Sequence, residues 1–151
     1  MTRGASKTIV VGFDDKEPAR RALEHAIEQA QSTHARLVVL VVAEMPLNPQ
    51  GIQNYGTLDD SPPRLMPIEP PADVEAGLEH ARAVVEAAGV QADYVWSAGE
   101  PSAEIVGTAR DRGADLVVLG AHHHTGLFGF FGVDVADEVE RSLGTGVVVV
   151  E

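Results

Sequence analysis

Four short stretches constrain this chain most: TIVVGF (8–13), the run from Arg36 to Ala43, LVVL (116–119) and VVVV (147–150). Each is apolar and rich in β-branched residues, and none shows the in–out alternation of a strand with one wet face. Such runs belong to strands buried on both faces, the situation of a parallel sheet covered by helices on each side. Between them the hydrophobic period lengthens to that of a helix. After the first strand, Pro18 stands in the first turn of a helix whose apolar positions Ala19, Ala22, Leu23, Ala26, Ile27 and Ala30 fall on one face. Asp14 and Asp15 precede it, and two acids at that place are expected to cap the helix rather than to hold a metal. Strand, helix and strand with short joins make a right-handed βαβ unit.

The pattern repeats further on. Asp73 is expected to cap a second helix carrying Val74, Leu78, Ala81, Val85 and Ala88 on one face, with Gly89 ending it. Tyr94–Trp96 reads as a short strand. Gly99 and Glu100 then turn the chain into a third helix at Pro101, ended by Gly113. A last helix is expected over 135–142, with Asp134 as its cap, before the terminal valines. Five strands thus alternate with four helices.

A chain of 151 residues has the size of one domain, here 1–151, and it contains no cysteine. Disulfides, thiolate metal sites and cysteine nucleophiles are therefore excluded. The formal net charge of -12 makes nucleic acid and anionic membrane surfaces poor partners, because both require clustered Lys and Arg. No apolar run approaches the roughly 20 residues of a membrane span. The N-terminus enters a strand without an apolar signal-peptide region, so a cytoplasmic location is expected. Seven of the nine prolines fall between Pro46 and Pro71. That composition predicts a long loop at 46–71, either a functional lid or a disordered segment. In it Tyr55, Leu65, Met66 and Ile68 are available to cover a site or a partner.

The candidate site lies after LVVL, because ligands of open parallel sheets sit beyond the carboxyl ends of the strands. Glycines recur there at 120, 126, 129 and 132, a spacing that permits close backbone approach to a phosphate. Yet no Lys or Arg occurs from Gly113 to Glu140. Asp134 would also compete with an anionic ligand for the helix N-terminus. His122, His123 and His124 are candidate metal ligands by residue type. Adjacent side chains project in different directions, so a polar loop is the expected reading and no dedicated metal site is assigned. Phe128, Phe130 and Phe131, three of the four phenylalanines, either pack onto the sheet or form a partner-binding patch. Ser102, Ser142 and Thr125 have no His and acid at a readable spacing, which argues against a nucleophilic triad.

Along nearly its whole length the chain resembles the universal stress protein family. The stretches that carry the resemblance are VVGFDDKEPARRALEHA, AGEPSAEIVGTARDRGADLVVLG and VADEVERSLGTGVVVVE. It implies an α/β, Rossmann-like single domain with a five-stranded parallel sheet in the order 3-2-1-4-5 and four helices. Many members bind ATP through Gly-x-x-Gly-x9-Gly-Ser/Thr after the fourth strand. Counted without gaps, the first Gly is Gly120, while the other positions fall on His123, Val133 and Asp134. His122 matches the His of the family's common Gly-Ser-His-Gly run, and Asp14 matches its adenosine-facing Asp. Gly12, Val42, Leu119 and Val135 match neighbouring contact positions. A vestigial nucleotide site is thus expected on Gly12, Asp14, Val42, Leu119, Gly120, His122 and Val135.

The expectation that follows is a non-enzymatic stress-response module with a degraded ATP-binding loop, no cofactor and an unidentified protein partner. The alternative is a protein that binds ATP weakly, with slow ATPase or sensing activity. In the implied strand order Val147, Val148, Val149 and Val150 form an edge strand guarded only by Glu151 and the terminal carboxylate. An apolar, proline-free edge needs covering. Pairing with the same strand of a second copy predicts a homodimer.

Overall fold

The computed structural model describes residues 7–43, 70–120, 133–144 and 146–150. Most of the proline-rich stretch, the three histidines and the phenylalanine cluster lie outside these residues. Five strands, β1 Thr8–Gly12, β2 Arg36–Ala43, β3 Ala92–Ala98, β4 Leu116–Gly120 and β5 Gly146–Val150, form one sheet in the order β3-β2-β1-β4-β5. Every neighbouring pair is parallel. The helices are α1 Glu17–Thr33, α2 Ala72–Ala87, α3 Pro101–Arg112 and α4 Val133–Leu143. The expected order and element count are therefore observed, and the strand at Tyr94–Trp96 is longer than its apolar centre suggested.

Successive side chains of each strand enter two separate cores, as the period of two requires. Val11, Val39 and Val118 stand in register and pack under α1 and α2 with Leu23, Ile27, Val74 and Val85. Val10, Val38 and Val117 face the other way, against Ile105 and Ala109 of α3 and Val139 of α4. All six apolar residues expected on one face of α1 are buried. Leu23 is 1% exposed, and burying a leucine stabilises by about 1.5–3 kcal/mol.

The helix termini differ from expectation. α2 begins at Ala72 with Pro71 in the cap position, so Asp73 lies inside the first turn and makes no cap. There its charge still favours the helix dipole. α4 begins at Val133, which puts Asp134 within the helix rather than before it. Lys16, not Asp14 or Asp15, occupies the cap position of α1. A cap is set by the path on which the chain enters the helix, and the nearest acid in sequence does not fix that path. α3 does start after Glu100 with Pro101 in its first turn, and it stops at Gly113 with φ 61°.

Because both faces of the strands are apolar, amphipathic pattern alone does not forbid a one-residue slip. Polar contacts at the amino ends of the strands pin the register. Thr8 N–H donates to Asp115 Oδ2 at 2.9 Å. Asp93 on β3 accepts from Arg36 Nη2 on β2 at 3.1 Å and from Arg112 Nη1 at the end of α3 at 2.9 Å.

The Arg36 hydrogen bond is the main reason the Asp93 carboxyl titrates below its ordinary value, with Arg112 adding to it against the opposing effect of burial. A carboxyl lowered in the folded state contributes stability that is whole above its unfolded value of about 4 and is lost as pH falls below it. With side chains 58% and 30% exposed, the Arg36–Asp93 pair is screened by solvent and contributes little to stability by itself. Asp93→Asn is expected to flatten the loss of stability between about pH 5 and pH 3. Urea midpoints across that range test this, and parallel curves for the two proteins would contradict it.

Candidate functional site

The chain runs from β1 outward through β2 to β3 and then crosses back to β4 on the other side of β1. The carboxyl ends of β1 and β4 therefore border the switch point, where open α/β sheets bind ligands. β1 ends in Gly12. Phe13 continues alongside β2, its N–H donating to Leu40 O at 2.8 Å. The next two residues make a tight turn into α1. Asp14 Oδ1 accepts the Lys16 N–H at 3.1 Å, a side chain closing a turn on its own backbone.

Asp15 lies in the left-handed region with φ 62°, a conformation Asp tolerates better than most residues. Its carboxylate is held from two helices. Arg20 Nε and Nη2 of α1 reach Oδ1, both at 3.1 Å, and His80 Nδ1 of α2 lies 2.5 Å from Oδ2. Asp15 is thus a junction between the β1–α1 turn and α2. Sequence reading missed His80: it is an exposed residue 65 positions away, and nothing local marks it.

At the end of β4 the backbone itself forms the contact. A Cβ on Gly120 would lie 2.4 Å from the carbonyl carbon of Pro18 and 2.6 Å from the nitrogen of Ala19. The first turn of α1 occupies that space, so glycine is required here by helix-on-strand packing. Gly12 is also crowded, since a Cβ there would come within 3.0 Å of Leu119 Cδ2.

The fold brings most of the sequence-predicted nucleotide residues to one end of the sheet. Gly12, Val42 and Leu119 share the face toward α3, with Val42 and Leu119 buried, and Asp14 stands above the end of β1. Gly120 adjoins them but faces the backbone of α1. Val135 lies in the first turn of α4. His122, with His123 and His124, falls outside the described residues. Among the described residues no three His, Asp or Glu side chains converge as a metal site.

Two hydroxyls complete the local picture. Ser97, paired with Val42, has an Oγ that is buried without a hydrogen-bond partner among the described residues. Such a group costs about 1–3 kcal/mol if left unmatched. Ser102 is 1% exposed and donates to Glu100 Oε1 at 2.5 Å at the start of α3. That carboxylate holds the hydroxyl, and no imidazole joins them among the described contacts. The site therefore offers an apolar floor and a carboxylate acceptor, suited to a planar or apolar body bearing hydroxyl or amino donors.

Comparison with known proteins agrees with this fold. The model of the universal stress protein family matches residues 5–151. "Universal stress protein YxiE" of Bacillus subtilis (strain 168) is 26% identical over 120 residues, covering 79% of this chain and 81% of that protein. A crystal structure of a universal stress protein in complex with cAMP superposes with a TM-score of 0.68 at 24% identity, covering 98% of this chain and 99% of that one. The universal stress protein from Archaeoglobus fulgidus in complex with dAMP gives a TM-score of 0.63 at 22% identity over 96% and 98%.

Gly120→Ala tests the packing role. The added methyl forces α1 away from β4, and overpacking of this kind costs about 1–3 kcal/mol. A lower urea midpoint with unchanged slope is expected, and an unchanged midpoint would show that the contact is dispensable.

Proposed function

The chain belongs to the universal stress protein family, and on that footing we propose that it is a non-enzymatic, dimeric stress-response module, cytoplasmic, whose nucleotide crevice has lost its phosphate half. The observation that carries this reading is the environment of Gly120. It is the only position of the family's four-residue ATP signature kept in the ungapped count, and the first turn of α1 fills the space beside it. Its retention is explained by packing and so is no argument for phosphate binding. The other signature positions carry His123, Val133 and Asp134, and no Lys or Arg lies between Gly113 and Glu140. Relative to the family's motif those residue types add Cβ atoms and a carboxylate of a triphosphate's own sign.

A second reading, nucleotide binding with slow ATPase or sensing activity, is favoured by a different observation. Gly12, Val42 and Leu119 converge beside Asp14, the nucleoside half of such a site, and two structural neighbours are described in complex with cAMP and dAMP. Titration calorimetry with magnesium–ATP separates the two. The first reading expects no saturable heat at micromolar nucleotide and no phosphate release. Micromolar saturation would overturn it, and silence at millimolar nucleotide would sink the second.

The dimer is proposed through β5. It lies at the edge of the sheet, paired with β4 alone among the described strands, and Val149 is 42% exposed on it. An apolar edge is an open template for a second strand, and a two-fold pairing closes both copies at once. Val149→Lys leaves Val147 and Val150 in their respective cores. It is expected to weaken self-association at least tenfold, about 1.4 kcal/mol. Sedimentation of the two proteins at equal concentration decides this. A monomeric parent would overturn the dimer, and a variant that remains dimeric would place the interface elsewhere.

A further inference from the structure

On the opposite face of the sheet from the Val42–Leu119 floor, α1 and α2 enclose a cleft of about 490 Å³. That volume is within the range of small-molecule sites, about 300–1,000 Å³. Phe13 and Leu23, 2% and 1% exposed, close its base from within the core, and its accessible apolar surface is that of Ala83 and of Val84, the latter 45% exposed. Beside Val149, Val84 is the only large hydrophobic residue so exposed among the described residues.

The polar lining is unevenly committed. Asp15 spends one carboxylate oxygen on Arg20 and the other on His80. Arg20 stands four residues before Glu24 on α1, the spacing at which the two would ordinarily pair. Arg20 turns to Asp15 instead, and Glu24 is left lining the cleft with no ion-pair partner among the described residues. The charges of Arg20 and Asp15 cancel, and counting His80 as a neutral hydrogen-bonding imidazole, Glu24 leaves the lining one net negative charge among the described residues.

We infer that this cleft is a second ligand site, for a small organic ammonium ion with an apolar body, its cation on Glu24 and its body against Ala83 and Val84. The alternatives fit worse. An anion meets Glu24 in a protein of formal net charge -12, whose overall field concentrates cations. A neutral apolar molecule leaves the carboxylate unmatched. A hard metal cation requires several oxygen ligands, whereas the free carboxylate here is single. The inference stands apart from the nucleotide reading, since the cleft and the crevice lie on different faces of the sheet.

The test is a titration of the whole chain, followed by methyl and amide NMR, with 2-phenylethylammonium as the probe. Its neutral analogue 2-phenylethanol and the anion 3-phenylpropionate serve as comparators. Saturable shifts centred on Leu23, Ala83 and Val84 are expected for the ammonium alone. Glu24→Gln, a change at an exposed helix position, is expected to weaken binding about tenfold. Val84→Lys, which sets a cation at the side of the cleft, is expected to abolish it. Equal binding by the alcohol, undiminished binding by Glu24→Gln, shifts centred on Gly12 and Leu119, or no saturation at all would each overturn the proposal.

Discussion

The approach of the first turn of α1 to the end of β4 governs the functional end of this molecule. A missing Cβ at Gly120 lets the Pro18–Ala19 backbone sit where a side chain would otherwise stand. With α1 laid down that closely, its six buried residues reach the sheet. The link from β1 then has only Phe13, Asp14, Asp15 and Lys16 in which to reverse. The left-handed backbone of Asp15 follows from that shortage of chain. So does the position of Asp14 above the strand ends. One glycine chosen for packing therefore determines where two carboxylates stand.

Those carboxylates, adjacent in sequence, serve different parts of the structure. Asp14 closes the turn beside the crevice between β1 and β4, while Asp15 faces the helices and joins α1 to α2 through Arg20 and His80. Exposed ion pairs are worth little individually. Here the Arg20 pair and the His80 hydrogen bond act on one residue with a left-handed backbone, so together they also oppose the tendency of that backbone to relax. Arg20 is thereby withdrawn from Glu24, and this gives the cleft its charge.

The two ends of the sheet differ in how their polar groups are met. At the amino ends the polar groups are mutually satisfied: Asp93 with Arg36 and Arg112, Asp115 with the Thr8 amide. These contacts select one register among strands whose apolar sequences would accept several. At the carboxyl ends the buried Ser97 Oγ has no hydrogen-bond partner among the described residues. Unmatched polar groups and crowded glycines are costs a fold concentrates where binding occurs.

Much of this architecture was legible in the residues, because burial leaves a local period. The buried face of α1 and the bounds of β2 were readable residue by residue, since each depends only on neighbours within a few positions. The stop at Gly113 was equally plain. Strand order came from the family resemblance and not from any period, and the structure has that order. The caps expected at Asp14 or Asp15, Asp73 and Asp134 were misread because a capping acid is defined by the direction of chain entry. Gly12, Val42 and Leu119, expected at a vestigial nucleotide site, lie on one face of the sheet, whereas Gly120, expected with them, faces a helix backbone. Tertiary structure alone decided that role, the Asp15–His80 contact and the isolation of Glu24. Each of these rests on groups far apart in the chain, brought together only when both helices settle on the sheet.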